Sequence, residues 1–240
     1  MTKRITSITA ISLLALTNYA IGALDVTLSG NSATANWADL TAANYPTSAG
    51  YNNFMTNTAG WTTPISADAG SATLDKVAGT GGYPATASIY NFTAEGSLVI
   101  SNSSPLSGLE TLIVQVDLGG LFTSNPVLNY NGGSQALVAD FSAITTGDFS
   151  FVNPSAPGPP APTSNFAFQW DLSGVVNPIT SYEVAWTTDE HVTTFGIQLD
   201  TGDTFSGQAI PEPSTYAAAF GAFALVIVWV RRKFSHQSAA

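Results

Sequence analysis

Residues 111–118 read TLIVQVDL, and every second side chain in this stretch is apolar. The same period of two recurs in FAFQWDL (166–172), SYEVAW (181–186) and TTFGIQL (193–199). This alternation is typical of a half-buried β-strand, because successive side chains point to opposite faces. The predicted inward-facing residues are Leu112, Val114, Val116 and Leu118; Phe166, Phe168, Trp170 and Leu172; Tyr182, Val184 and Trp186; and Phe195, Ile197 and Leu199.

Further short apolar runs, punctuated by the 21 glycines and 13 prolines, predict eight more strands. They cover residues 24–28, 71–77, 87–93, 96–101, 126–130, 135–141, 147–152 and 203–209. Asn131-Gly132-Gly133 predicts a hairpin turn, and Thr201-Gly202-Asp203 predicts another. About a dozen short strands with such turns indicate an all-β protein, an antiparallel and jelly-roll-like β-sandwich. An elongated β-solenoid is the alternative, although no fixed repeat period supports it.

The predicted β-sandwich domain covers residues 24–209. Within it, residues 153–163 read NPSAPGPPAPT and form a proline-rich segment. Such a segment can separate two domains as a stiff linker. Because strand-like sequence flanks it on both sides and each half would have a thin core, we interpret it as a loop within one domain.

Charge is scarce and unevenly distributed. Only 9% of the 240 residues are charged, and the formal net charge is −10. Between residues 24 and 210 stand 15 acidic residues against a single lysine, Lys76. This balance excludes nucleic acid as a partner and a cationic side-chain site for phosphate. The absence of cysteine excludes a disulfide framework and a zinc–thiolate site.

The first 23 residues have the features of a secretory signal peptide. Lys3 and Arg4 provide a basic start, an apolar run follows from Ile8 to Leu16, and Ala20-Ile21-Gly22 supplies small residues for cleavage. The apolar run is too short for the alternative, a membrane-spanning helix. The sequence therefore predicts export.

The C-terminal segment, residues 210–240, has three parts. Pro211-Glu212-Pro213 is followed by an uncharged stretch at 216–230 and then by the basic cluster Arg231-Arg232-Lys233. The stretch predicts a single short transmembrane helix of roughly 22 Å, against about 30 Å of hydrocarbon core. The basic cluster after it favours the cytoplasmic side, so the domain before it faces outward.

This tripartite tail resembles the PEP-CTERM sorting signal of Gram-negative bacteria. The resemblance covers about the last 30 residues. It implies processing by an exosortase-type enzyme in the inner membrane and delivery to the cell surface or extracellular matrix, often in association with exopolysaccharide. A simple C-terminal membrane anchor is the alternative interpretation.

Five aromatic residues in the loop-rich first third are candidates for carbohydrate binding. Sugar rings stack on exposed aromatic faces, and neighbouring Asn and Gly residues provide polar groups. Burial under irregular loops is the alternative for such large side chains. The candidates are Trp37, Tyr45, Tyr51, Trp61 and Tyr83.

Calcium is the one metal that the acidic, exported domain favours, because Ca²⁺ prefers oxygen ligands. Asp189, Glu190, Asp200 and Asp203 form the densest acidic group, although no EF-hand loop is present. An enzyme is a further alternative, since Glu95, Glu110, Glu183 and Glu190 include potential glycosidase pairs.

The sequence thus predicts an exported, non-enzymatic β-sandwich at the cell surface or in the extracellular matrix, associated with exopolysaccharide and without an obligatory cofactor. A carbohydrate-active enzyme and a calcium-dependent carbohydrate-binding module are the alternatives.

Overall fold

The computed structural model describes residues 26–45, 60–86, 88–92, 94–151, 161–205 and 207. Thirteen strands occupy these residues, and this part of the chain contains no helix. The strands are β1 (Ser32–Trp37), β2 (Ile65–Ser66), β3 (Thr73–Lys76), β4 (Tyr83–Pro84), β5 (Ile89–Tyr90), β6 (Gly96–Asn102), β7 (Thr111–Gly119), β8 (Phe122–Tyr130), β9 (Leu137–Val138), β10 (Phe141–Phe151), β11 (Ala161–Asp171), β12 (Tyr182–Thr188) and β13 (Thr193–Gly202).

The described part of the chain has no helix with the length and apolar character of a membrane span. The predicted signal peptide (1–23), the Pro211-Glu212-Pro213 motif, the helix 216–230 and the cluster Arg231-Arg232-Lys233 all lie outside the described residues.

The strands form two sheets, and every pairing between named strands is antiparallel. A seven-stranded sheet has the order β10-β11-β7-β13-β5-β4, with β1 also paired to β13. A six-stranded sheet has the order β2-β3-β6-β12-β8-β9. One large apolar cluster draws side chains from both sheets. The predicted all-β, β-sandwich-like fold is therefore confirmed.

The period-two rows lie in the core as predicted, except at Phe195. A bulge between Thr194 and Gly196 shifts the register of β13 there, and Phe195 is only half-buried. Leu112, Val114, Val116 and Leu118 of β7 are fully buried, and their counterparts on β11 and β12 are buried as well. The rows interdigitate between the two sheets because strand alternation sends one full set of side chains inward.

The outer face of β7 is also buried, which the alternation does not predict. Ile113 and Gln115 are almost fully enclosed, and Asp117 is 8% exposed. Ile113 forms a second, smaller apolar cluster with Ala143 and Ala167, against which Val26 and Leu28 pack. The middle of the seven-stranded sheet is thus covered on both faces.

Several predicted strand bounds are wrong. Residues 26–28 are not a strand, and β1 lies instead at Ser32–Trp37, where its pairing with β13 supplies the hydrogen bonds. Thr201 and Gly202 continue β13 rather than forming a turn, and residues 203–205 are not a strand. Of the predicted strand 87–93, the described residues 88–92 form a strand only at the two residues of β5. Pairing partners, rather than local composition, decide these ends.

The proline-rich segment joins two strands that pair with each other. Phe151 of β10 is opposite Ala161 of β11, and Ser150 is opposite Pro162. The predicted loop 153–163 therefore extends too far, because residues 161–163 belong to β11.

The predicted turn after β8 is confirmed. Asn131 and Gly132 have φ values of 52° and 67°, and the amide of Gly133 donates to the carbonyl of Tyr130 at 2.9 Å. Positive φ at both central residues matches the turn preference of an Asn-Gly pair.

Candidate functional site

Two of the five candidate aromatics are core residues. Trp37 is fully buried and its indole Nε1 donates to the carbonyl of Ile65 at 3.1 Å. Trp61 is buried too, and its Nε1 donates to the carbonyl of Gly82 at 3.4 Å. The interpretation of these two residues as sugar-binding is corrected, because neither presents a ring face to a ligand.

The three candidate tyrosines have different fates. Tyr45 is half-buried and its hydroxyl donates to Oδ1 of Asp68 at 3.4 Å. Burial, together with the charge of Asp68, raises the pKa of Tyr45. Tyr51 lies outside the described residues. Tyr83 is half-buried on β4 and belongs to the surface group described below.

The structure does not bring the four candidate calcium ligands together. Asp189 and Glu190 lie between β12 and β13, whereas Asp200 and Asp203 lie at the far end of β13, roughly 30 Å away. Asp200 accepts from the Thr34 hydroxyl at 2.7 Å. Across the described ranges, no three acidic, His or Cys side chains form a group suited to a metal ion.

Asp203 has a structural contact of its own. Its carboxylate accepts from the backbone amide of Asn31 at 2.8 Å and from the Asn31 side-chain amide. These hydrogen bonds stabilise the charged form and lower the pKa of Asp203. The interaction joins the turn before β1 to the end of β13.

Four aromatic rings meet on the surface beside the edge strand β4 and its neighbour β5. We call Tyr83, Tyr90, Phe92 and His191 the aromatic surface cluster. Tyr90 is central: its ring centroid lies 6.4 Å from that of Tyr83, 6.1 Å from Phe92 and 6.2 Å from His191. Phe92 is 42% exposed and the His191 side chain is 62% exposed. The cluster therefore presents aromatic faces to solvent.

A polar edge runs along the aromatic surface cluster. The Tyr90 hydroxyl lies 3.0 Å from Nδ1 of His191, and Nε2 of His191 lies 3.4 Å from Oε1 of Glu190. In the tautomer protonated at Nε2, Tyr90 donates to His191 and His191 donates toward Glu190. The cluster thus combines flat apolar faces with hydrogen-bonding groups at their rim.

Asn91 holds the cluster in place from beneath. Its side chain is buried, and Nδ2 donates to the Thr188 hydroxyl and to the carbonyl of Asp189, both at 2.8 Å. The backbone pairs as well, since the His191 amide donates to the Asn91 carbonyl at 2.8 Å. These bonds attach the turn after β12 to the residues after β5. The four rings are therefore preorganised by a buried amide.

The turn also contains a backbone conformation that favours glycine. His191 has a φ of +66°, in the left-handed region, which non-glycine residues adopt at a cost. Two hydrogen bonds to Asn91 fix this geometry. The imidazole is placed beside Tyr90 by a strained turn, an arrangement typical of functional loops.

The four glutamates weighed for catalysis are dispersed. Glu190 lies at the aromatic surface cluster, and Glu183 lies at the opposite end of β12. Glu110 precedes β7 and accepts from the backbone amide of Phe205 at 3.1 Å. Glu95 is exposed just before β6.

Sequence reasoning missed three of the four cluster residues. Tyr90 and Phe92 have the period-two spacing of one strand face, which is the signal that points to them. His191 has no comparable signal, because its partner Tyr90 lies 101 residues earlier in the chain.

Comparison with protein-family models, with curated proteins and with solved structures finds no match for this chain. The functional argument therefore rests on the residues themselves.

Proposed function

We propose that this chain is an exported, non-enzymatic β-sandwich protein that binds polysaccharide at the cell surface or in the extracellular matrix of a Gram-negative bacterium. Its C-terminal segment serves as a sorting signal for an exosortase-type enzyme in the inner membrane. The aromatic surface cluster is the polysaccharide-binding site. The observation that carries the proposal is the exposure of these adjoining rings with Glu190 at their rim.

The chemistry of the cluster fits a neutral or cationic sugar polymer. Aromatic faces pack against the C–H groups of a sugar ring, while His191 and Glu190 offer partners to its hydroxyl groups. An anionic polymer fits less well, because Lys76 is the one lysine or arginine between residues 24 and 210 and it is buried. The hydrogen bonds of Asn91 fix the rings before a ligand arrives, so less conformational entropy is lost on binding.

The export and sorting part of the proposal rests on the sequence. Residues 1–23 have the composition of a signal peptide, and the three-part segment 210–240 has the order of a PEP-CTERM signal. The two ends agree on orientation, since both leave the β domain outside the membrane. Surface delivery supplies the compartment in which polysaccharide is met.

A jelly-roll-like arrangement is the finer proposal for the fold. Successive strands β6, β7 and β8 alternate between the two sheets. Later in the chain, β12 inserts between β6 and β8, while β11 lies beside β7. This return of late strands between early ones favours a wrapped double sheet over a sequential meander.

Binding is proposed to need no cofactor and to leave the polymer intact. The separation of the acidic residues along β13 favours cofactor-free binding, and the dispersed glutamates favour a non-enzymatic role. We expect retention on polysaccharide to be the same with calcium and with chelator, and the polymer length to stay constant.

Affinity electrophoresis of the full chain in mild detergent, through gels containing bacterial exopolysaccharide, tests the binding function. Phe92→Ala and Tyr90→Ala are expected to weaken retention about tenfold, which corresponds to about 1.4 kcal/mol. Val176→Ala is the matched control, since Val176 is 95% exposed at a different site. Equal retention of all variants would overturn the assignment of the cluster.

Cell fractionation tests the sorting function. Replacing Pro211, Glu212 and Pro213 together by alanine is expected to leave the chain in the membrane fraction at its unprocessed mass. The unsubstituted chain should reach the surface or medium with a lower mass. Identical mass and location of both forms would contradict processing at this motif.

A further inference from the structure

A depression of about 140 Å³ lies at the start of β12, on the six-stranded sheet. We call it the β12 pocket. Ser101, Glu183 and Asn129 are direct neighbours across β6, β12 and β8, and Asn102, Tyr182 and Tyr130 form the next row. All six line the pocket, with strands about 4.8 Å apart. Because successive side chains of a strand point to opposite faces, Ser101, Glu183 and Asn129 face outward, whereas the row with Tyr182 and Asn102 is turned inward and those two side chains are buried.

We propose that the β12 pocket binds one neutral, hydroxyl-rich sugar residue and is a second carbohydrate site of this protein. The proposal rests on the proposed polysaccharide-binding function for the source of its ligand, but it uses none of the residues of the aromatic surface cluster.

The lining selects this ligand class by exclusion. It provides hydroxyl, amide and phenol groups and one carboxylate, Glu183, and none of its residues is cationic. A phosphate or carboxylate ligand would meet Glu183 without a compensating positive charge. An apolar ligand would cover the Glu183 carboxylate without offering it a hydrogen-bond donor. A metal ion would find a single carboxylate.

The exposed Glu183 carboxylate suits a pair of neighbouring hydroxyl groups. A carboxylate is an acceptor with two oxygens, and hydrogen bonds to a charged acceptor are stronger than neutral ones. Ser101 and Asn129 stand on either side of Glu183 in the register, so donors and acceptors flank the carboxylate. Vicinal sugar hydroxyls present this combination of donors and acceptors.

The walls of the β12 pocket are held by hydrogen bonds on both sides. Asn102 Nδ2 donates to the Tyr182 hydroxyl at 3.3 Å, and Asn102 Oδ1 accepts from the Ser104 amide at 2.9 Å. On the other side, Asn131 donates to the Pro178 carbonyl at 3.0 Å and accepts from the Thr180 amide at 2.7 Å. The pocket is thus preformed, which lowers the cost of binding a small ligand.

Size and position indicate what the second site does. The volume is below the roughly 300–1,000 Å³ of sites for drug-sized ligands, so it suits one ring rather than a long chain. The aromatic surface cluster adjoins the other end of β12, roughly 20 Å away along the seven-residue strand. Two sites at opposite ends would let one molecule join two polysaccharide chains.

Saturation-transfer NMR on the full chain, with the methyl glycosides of glucose, mannose, galactose and N-acetylglucosamine as probes, tests the proposal. Ser103→Trp places a large ring at the exposed rim of the pocket, and Ser104→Trp is the matched control outside the lining. Ser103→Trp should abolish the signal of at least one probe, and Glu183→Gln should weaken that signal about fivefold or more. The Ser104→Trp variant should retain it.

The cluster variant Phe92→Ala separates the two proposals. If the pocket is a site, Phe92→Ala keeps a probe signal that Ser103→Trp loses, and both variants lose the turbidity that cross-linked polysaccharide produces. Equal probe signals in Ser103→Trp and Ser104→Trp would overturn the β12 pocket while leaving the cluster intact. A second outcome would also overturn only the pocket: no variant binds any probe, and Phe92→Ala is the only variant that loses polymer retention.

Discussion

At the scale of single residues, a buried carboxylate on the outer face of β7 is held at an energetic cost. Asp117 is 8% exposed, and its Oδ1 accepts from Nδ2 of Asn165 at 2.7 Å. Burial raises the pKa of Asp117, and the hydrogen bond from Asn165 only partly offsets this effect. Ionisation of Asp117 therefore favours the unfolded chain.

Asp117→Asn is expected to raise the free energy of unfolding at pH 7. Because the folded-state pKa lies above the unfolded value of about 3.9, the penalty is full above the folded pKa and disappears below the unfolded one. The gain should therefore shrink as the pH falls toward 3. Urea unfolding at pH 7 and pH 3 measures it, with the exposed Glu95→Gln as control. A gain of equal size at both pH values would contradict the explanation.

The position of the buried Asn91 side chain depends on the absence of a side chain at Gly96. A Cβ at Gly96 would collide with the buried side-chain amide of Asn91. Gly96→Ala is expected to cost about 1–3 kcal/mol of stability through overpacking. It should also weaken polysaccharide retention, because Asn91 positions the cluster.

Thermal unfolding and affinity electrophoresis measure the two effects of Gly96→Ala. Gly174→Ala is the matched control, since a Cβ there meets no atom within 4 Å and its φ is not positive. Unchanged stability and retention in Gly96→Ala would show that Asn91 does not need its present position.

At the scale of elements, the turn between β12 and β13 contains a strained backbone that lowers stability but places the His191 ring beside Tyr90. His191 adopts a positive φ there, at a cost of about 1–3 kcal/mol for a non-glycine residue. Its ring contacts those of Tyr90 and Phe92. The unfavourable backbone conformation of His191 is therefore coupled to the position of its imidazole in the aromatic surface cluster.

His191→Gly is expected to keep the free energy of unfolding within about 1 kcal/mol, because relief of strain offsets the greater freedom of the unfolded chain. Polysaccharide retention should fall at the same time. His191→Ala retains the strain and should be the less stable of the two variants. Urea unfolding and affinity electrophoresis give both readouts. A His191→Gly variant that binds normally would remove His191 from the site.

At the scale of the whole molecule, β1 connects the two sheets. It pairs with β13 of the seven-stranded sheet, while its Trp37 donates to the carbonyl of Ile65 on β2 of the other sheet. Trp37 belongs to the cluster of buried side chains shared by both sheets. The two layers are therefore expected to unfold together.

Trp37→Ala is expected to cost about 3–5 kcal/mol, and Trp37→Phe less, since most of the buried ring remains. Both variants leave the Ile65 carbonyl without its indole partner. Urea unfolding, followed by far-UV circular dichroism and by the fluorescence of the remaining tryptophans, measures the loss. Leu121→Ala, at a position 64% exposed, should change little. Separate transitions for the two probes would contradict a single cooperative core.

The sequence alone determined the β class and most inward-facing residues of the long strands, because side-chain alternation is a local property with a fixed period. Phe195 is the exception, because the bulge in β13 interrupts that period. It also predicted the signal peptide at residues 1–23 and the sorting signal at residues 210–240, because both depend on local composition and on the order of their parts. It did not predict β1, although SATANW alternates Ala33, Ala35 and Trp37 with polar residues. Two of these three apolar residues are alanines, which favour strands only weakly, and the segment becomes a strand through pairing with β13.

Only the tertiary structure decided which aromatics are buried and which meet at the surface. Trp37 and Trp61 entered the core, whereas Tyr90 and His191, 101 residues apart, became neighbours. The β12 pocket likewise needed three strands in register. The physical reason is that contacts between distant segments depend on sheet pairing, and pairing is chosen by the packing of the whole core rather than by any local pattern.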